Sequence, residues 1–355
     1  MKRIDVRAEG GGYPIIIEDG LLARSGTVVR ERLGRAATAA VVTNPTVAAH
    51  HAGPLLESLR GAGFSVHLVE ILDGERYKTL ETVRRLWTML LEAGLNRTGL
   101  VVSLGGGVTG DLAGFAAATF MRGVPVVHVP TTLLAMVDAS IGGKTGVDLP
   151  QGKNLVGVFK QPEAVIVDPG TLETLPAAQI ASGMAEVLKH GLIADPALFE
   201  ELEAGKPADL GALVHRAVLV KVAIVEEDPG EAGRRTLLNL GHTFGHGFEA
   251  ASGYDLGHGP AVAAGLIAAA RLAHGLGRCE ASLVERIEGA VRVQGLPAML
   301  GGLSADEVID HMKHDKKRRD AALRFVIPEE PGHVAIVDDP PERLVADAVA
   351  RVLES

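Results

Sequence analysis

The chain has 355 residues, room for two domains of ordinary size, and its 47% hydrophobic against 22% charged content excludes global disorder. A formal net charge of −9 with no long basic tract excludes nucleic acid as the main partner, because a polyanion demands a positive footprint. A single cysteine, Cys279, leaves no intrachain disulfide and no thiolate metal cluster.

In chain order, the opening residues, MKRIDVRAEGGGYP, lack the apolar core of a signal peptide. Residues 39–43 (AAVVT) read as a buried strand, followed by a helix over residues 45–61. Residues 64–69 read as the next strand and residues 79–93 as an amphipathic helix. The apolar runs 99–104 and 124–129 continue the series, and residues 165–168 close it. Strands alternating with helices predict a parallel, doubly wound sheet. From about residue 175 the pattern becomes helical, over residues 177–194, 208–227, 236–252, 259–277, 280–293 and 304–314. One strand-like piece, residues 323–327, interrupts it. The best membrane candidate, residues 261–270, is closed by Arg271, far short of the roughly 20 residues a bilayer needs. A cytoplasmic protein with no membrane partner is expected.

Three patterns carry chemistry. Gly105, Gly107 and Gly110 satisfy G-x-G-x-x-G between a strand and a helical stretch, the setting in which backbone N–H groups cradle a pyrophosphate. The acidic residue usual about 20 positions on is absent, so the match to a standard dinucleotide fingerprint is incomplete. Glu186, Lys189 and His190 share a helical face, as do His242 and His246, and His258 follows 16 residues after His242. A carboxylate and imidazoles suit zinc, but spacing leaves open which two of His242, His246 and His258 are ligands. Lys144 and Lys153 lie in glycine-rich segments read as loops, suited to a phosphate. No P-loop is present, because Asp138 stands where its first glycine belongs.

Together these segments resemble the 3-dehydroquinate synthase family. The resemblance rests on residues 73–78 (DGERYK), 105–111, 120–123, 130–138 (PTTLLAMVD), 140–145, 152–155, 183–191, 238–246 (LNLGHTFGH) and 315–317, in family order over roughly residues 40–330. His190 and Phe120 stand where tyrosine is common, and residues 226–230 depart from the usual acidic run. The resemblance implies a Rossmann-like α/β domain binding NAD (residues 1–174) and an all-α domain binding metal and substrate (residues 175–355), with the active site between them. It makes Glu186, His242 and His258 the ligands of one divalent metal, zinc or cobalt, and frees His246 for protons or the substrate phosphate. NAD would lie along Asp73, Gly74, Glu75, Arg76, Tyr77 and Lys78, then Gly107, Val108, Thr109, Gly110 and Asp111. Thr131, Thr132, Lys144, Lys153, Thr171, Leu172, Glu173 and Thr174 would complete its site. Substrate would meet Arg122, Asp138, Lys144, Lys153, Asn154, Lys189, Lys221, Arg235, Asn239, His246 and Lys316 or Lys317. The implied enzyme is a phosphate-eliminating lyase of the shikimate pathway and a homodimer. Its sugar phosphate substrate would be 3-deoxy-D-arabino-heptulosonate 7-phosphate. The alternatives are a sister sugar phosphate cyclase and a metal-dependent polyol dehydrogenase, which unlike a cyclase would accumulate NADH.

Overall fold

The structure is a computed structural model describing residues 1–8, 11–34, 36–230, 233–319 and 323–353, with the backbone alone for residues 314–319. It divides into two compact units, Met1–Pro176 and Ala177–Ser355.

Among the described residues the first unit holds nine strands: β1 (Lys2–Val6), β2 (Tyr13–Ile17), β3 (Thr38–Thr43), β4 (Ser65–Glu70), β5 (Leu100–Gly105), β6 (Val126–Pro130), β7 (Lys144–Leu149), β8 (Gly152–Phe159) and β9 (Ala164–Val167). Seven form one sheet in the order β1-β2-β9-β6-β5-β3-β4, parallel except for the antiparallel edge pair β1–β2. The central strands are buried on both faces, which is why they read as unbroken Val, Leu and Ala runs. Apolar clusters cover both faces. One joins Val41, Val102 and Ile166 to Leu55 and Leu59 of the helix Gly53–Gly61. The other joins Val42 and Val101 to Leu86 and Leu90 of the helix Leu80–Glu92 and Leu112 of the helix Gly107–Thr119. From β3 the chain steps outward to β4, then returns to β5 on the other side of β3. That reversal opens a crevice beyond the C-terminal ends of β3 and β5, where ligands of open α/β sheets bind.

One expectation is corrected in this unit. Lys144 and Lys153 stand on strands rather than in loops, as the first residue of β7 and the second of β8 in an antiparallel hairpin. Gly146 pairs with Gly157 across it, and the glycines that suggest loops allow the two backbones to approach closely. Strands β1 and β2 fall in a stretch without a clear pattern, and Pro14 opposes Asp5 of the edge strand β1 but precedes the residues of β2 that pair with β9, a place where a missing N–H is tolerated.

The second unit is helical around a two-stranded hairpin of β10 (Arg324–Glu330) and β11 (His333–Asp338). Its centre is the helix His258–Gly275, whose alanine-rich sequence buries residues from Gly259 to Ala273. Small side chains let the helices Ala177–Ala194, His242–Ala251, Ala281–Val293 and Glu342–Ala350, together with β10, pack closely on it. The helix Pro196–Ala204 lies outside the expected set; Asp195 caps it by accepting from the Leu198 N–H at 3.0 Å.

Candidate metal centre and nucleotide loop

The helix Ala177–Ala194 buries an unbroken stretch from Gly183 to Ile193, which takes Glu186 and Lys189 out of water. An isolated carboxylate there would be prohibitively costly, so it must be neutralised on the spot. Lys189, one turn on, forms an ion pair with Glu186 Oε2. Two imidazoles approach the other oxygen: His258 Nε2 lies 3.0 Å and His242 Nε2 3.4 Å from Glu186 Oε1. The candidate ligand atoms of Glu186, His242 and His258 all lie within 4.8 Å of one another.

Both histidines are the first residues of their helices, His242–Ala251 and His258–Gly275. A Cβ at Gly259 would come 2.3 Å from the Cα of Ser182, so only glycine lets this helix start lie against the backbone of Ala177–Ala194, carrying His258 to Glu186. His242 donates from Nδ1 to the Leu240 carbonyl at 3.1 Å, which leaves the Nε2 lone pair facing the cluster.

The charge states follow from the surroundings. Burial alone would raise the Glu186 carboxyl, but Lys189, His242 and His258 together hold it well below the usual carboxylate range. Burial drives His242 down to about 3 against the pull of Glu186, so it is neutral. Burial also opposes charge on His258, yet Glu186 and Glu249 raise it to about 10. A divalent cation therefore competes with a proton on His258. One carboxylate and two imidazoles converging in a buried pocket fit zinc or cobalt, and three protein ligands leave positions for substrate oxygens.

In the first unit, β5 ends at Gly105 and the helix Gly107–Thr119 begins two residues later. A Cβ at Gly105 would meet the Thr109 hydroxyl at 2.7 Å. No side chain caps this helix, so its first N–H groups and positive dipole end are available to an anion. The segment after β4 is tied to the same crevice: Asn44, following β3, donates to Asp73 Oδ1 at 3.2 Å. Lys78 is 3% exposed, with its ammonium 2.6 Å from Asp111 Oδ2 and donating to Asn154 Oδ1. Burial raises the Asp111 carboxyl to about 6 even against Lys78.

Residues 68–182 match the family model for the 3-dehydroquinate synthase N-terminal region, and residues 183–318 match its C-terminal counterpart. The chain belongs to the 3-dehydroquinate synthase family. A 3-dehydroquinate synthase from Synechococcus sp. (strain CC9605) is 47% identical over 96% of this chain and 94% of its own. Among solved structures, 2-epi-5-epi-valiolone synthase from Streptomyces hygroscopicus subsp. jinggangensis 5008, with NAD+ and Zn2+ bound, superimposes with a TM-score of 0.89 at 29% identity, covering 99% of each chain. A 2-deoxy-scyllo-inosose synthase complexed with carbaglucose-6-phosphate, NAD+ and Co2+ gives a TM-score of 0.87 at 25% identity, covering 99% of this chain and 100% of its own.

The other positions that the family resemblance singles out fall as follows. Lys221 and Arg235 are buried cations of the second unit; the Arg235 guanidinium donates to the Pro229 carbonyl at 3.1 Å. Asn239 is half-buried at the end of the 3-10 turn Arg234–Asn239, and His246 is exposed, edge-on to His242 with ring centroids 5.6 Å apart. The side chains of Lys316 and Lys317 lie outside the described residues. In the first unit, Lys144 is exposed and Lys153 half-buried, while Asn154 adopts φ 54° and its N–H donates to Asp148 Oδ1 at 2.7 Å. Arg122 is exposed at a corner where both it and Met121 adopt positive φ, 71° and 48°, strain of a kind that clusters at ligand sites. Asp138 is half-buried in the turn Ala135–Ala139. Thr131 is buried, and the Thr132 hydroxyl accepts from the Ala135 N–H at 3.2 Å. Thr171 and Leu172 are buried in the turn Pro169–Thr174, where Glu173 is exposed and the Thr174 hydroxyl meets His51 at 2.9 Å.

One buried residue beside the candidate metal centre escapes the sequence reading. Glu249 is buried beside His258, although its i+7 spacing from His242 on a helix marks the same face.

Proposed function

We propose that the protein is a 3-dehydroquinate synthase, a lyase converting 3-deoxy-D-arabino-heptulosonate 7-phosphate into 3-dehydroquinate and phosphate for aromatic amino acid biosynthesis. The convergence of Glu186, His242 and His258 beside the Lys189 ammonium carries this reading in a chain of that family. The higher identity to a curated 3-dehydroquinate synthase than to the solved valiolone and inosose synthases favours this branch over its sisters.

When bound, a divalent metal supplies Lewis-acid polarisation of substrate hydroxyls, and NAD supplies a hydride acceptor that is restored within each turnover. Glu186, His242 and His258 hold the metal. The uncapped start of the helix Gly107–Thr119 receives the NAD pyrophosphate, with residues 73–78, Thr131, Thr132 and 171–174 around the remainder. The substrate carries a phosphate and a carboxylate, so its recognition is dominated by charge-assisted hydrogen bonds. Arg122, Lys144, Lys153, Lys221, Arg235 and Lys316 neutralise these groups, and Asp138, Asn154 and Asn239 fix the hydroxyls. Lys189 holds the Glu186 carboxylate ionised and stands ready to donate to a substrate oxygen. His246, one helical turn from His242, exchanges protons with the leaving phosphate.

In this reading residues 1–174 bind NAD, residues 175–355 bind metal and substrate, and two copies form a cytoplasmic homodimer. Among the described residues no helix is long and apolar enough to cross a membrane.

The test is incubation with the heptulosonate phosphate and catalytic NAD, following phosphate and dehydroquinate together with and without a chelator. Equal release of both, with NAD unchanged and activity lost on chelation, is the expected result. A metal-replete protein inert toward this substrate but active on a heptulose or hexose phosphate would move the assignment to a sister cyclase. Steady NADH accumulation would move it to a polyol dehydrogenase.

A further inference from the structure

The two histidines of the metal centre are oriented differently. His242 is held through Nδ1 by a backbone carbonyl, that of Leu240, at 3.1 Å. The Nδ1 of His258 instead faces a carboxylate, Glu249 Oε1, at 3.8 Å, while its Nε2 points to Glu186 at 3.0 Å. Glu249 is 3% exposed, a degree of burial a carboxylate accepts only with compensation. Its position is fixed from the backbone outward: the Glu249 carbonyl accepts from the Tyr254 N–H at 2.7 Å and the Ser252 hydroxyl at 2.8 Å, closing the end of the helix His242–Ala251. That helix therefore carries His242 at its first turn and the carboxylate facing His258 two turns later.

We propose that Glu249 is a positioning residue of the metal centre: its buried carboxylate attracts the Nδ1–H edge of His258 across 3.8 Å, biases the ring toward the orientation with Nε2 facing the metal, and strengthens that nitrogen as a donor. This rests on the reading of Glu186, His242 and His258 as ligands. A carboxylate behind a ligating imidazole raises its basicity and removes its rotational freedom, and loss of such a partner typically weakens metal binding about 10–100-fold. The asymmetry has a chemical consequence. His258 becomes the stronger imidazole donor, and Glu249 adds negative charge to a centre where Lys189 already offsets one carboxylate.

The experiment titrates the metal-stripped full chain with zinc against a competing chelator, and with cobalt while recording its visible absorption. Glu249→Gln keeps the shape and removes the charge. It is expected to weaken zinc about 10–100-fold and to alter the cobalt spectrum, with Glu249→Asp recovering part of the loss. Thermal melts of the metal-free proteins show whether each variant is folded, and Glu249→Asp carries the test if Glu249→Gln is not. Glu186→Ala separates this inference from the ligand reading beneath it. Zinc binding lost in Glu186→Ala but unchanged in the folded Glu249 variants overturns the role of Glu249 alone. Wild-type zinc affinity in Glu186→Ala overturns the ligand set and the proposal with it.

Discussion

The glycine loop of the first unit and the metal centre of the second solve opposite problems with opposite materials. The loop offers an anion only backbone: a strand end, three glycines and an uncapped helix start. Two charges beside it, Lys78 and Asp111, are already bound to each other. The metal centre is made of side chains, and its charges are buried on the interior face of the helix Ala177–Ala194. A site made of backbone should tolerate the loss of a charge but not the gain of a methyl group; a site made of side chains should fail at the loss of a charge.

The sharpest break of that comparison is Glu186→Ala. It removes the carboxylate that both histidines face and breaks its buried ion pair with the Lys189 ammonium. Turnover should fall to background and the protein should emerge from purification without metal, as elemental analysis would report. Stability of the metal-free protein should drop by about 3–5 kcal/mol, the range for breaking a buried pair from one side. NAD affinity measured by titration should be unchanged, and a parallel loss would mean that the two sites are not separable.

Lys78→Met tests whether charge near the loop serves the loop at all. The Lys78 ammonium joins the segment after β4, the helix after β5 and the β7–β8 hairpin through Glu75, Asp111 and Asn154. Removing it strands Asp111 and should cost about 3 kcal/mol in a urea melt. The double variant Lys78→Met with Asp111→Asn should recover most of that. Failure to recover would show that the lysine contributes more than neutralisation.

The difference in materials also decides what is legible in the sequence. Strands β3, β5, β6 and β9 declare themselves because a doubly covered parallel strand must be apolar throughout. The β7–β8 hairpin is concealed, since Gly146 and Gly157 face each other and Leu155, Val158 and Phe159 of β8 are exposed, leaving no clean alternation. Helix Pro196–Ala204 carries its own start signal, Asp195 before Pro196, but is only nine residues long. In the metal centre, Glu186 and Lys189 follow from helical periodicity. His258 does not, because its approach to Glu186 depends on packing of two helix starts that no local spacing encodes; family resemblance alone selects it over His246. Glu249 is the converse case, its i+7 relation to His242 being visible once a helix is assumed.

Gly105→Ala turns the comparison around. The new methyl would press on Thr109 at 2.7 Å, where the helix start must stay open. Overpacking of this kind costs roughly 1–3 kcal/mol. Expressed in the loop, that weakens NAD about tenfold or more, with zinc affinity untouched. Equal weakening of zinc would refute the assignment of separate materials to separate sites.

The smallest effect is a slope rather than a loss, and it concerns the floor beneath the loop. His128 on β6 is buried, pairs with Ser103 of β5 at 2.7 Å through Nδ1, and lies under Gly110 and Gly114 of the helix Gly107–Thr119. Burial lowers it from 6.5 to about 4. Between those values the unfolded chain takes up a proton that the folded chain refuses, so the contribution of His128 is fully present above pH 6.5 and is lost as pH falls toward 4. One such group gives about 1.4 kcal/mol per pH unit where it dominates. His128→Gln, which keeps a hydrogen-bonding partner for Ser103 but cannot titrate, should flatten that part of the profile in urea melts at stepped pH. Parallel profiles for the two proteins would mean that water reaches His128 when it is protonated, and that the ground under the glycine loop is softer than its burial implies.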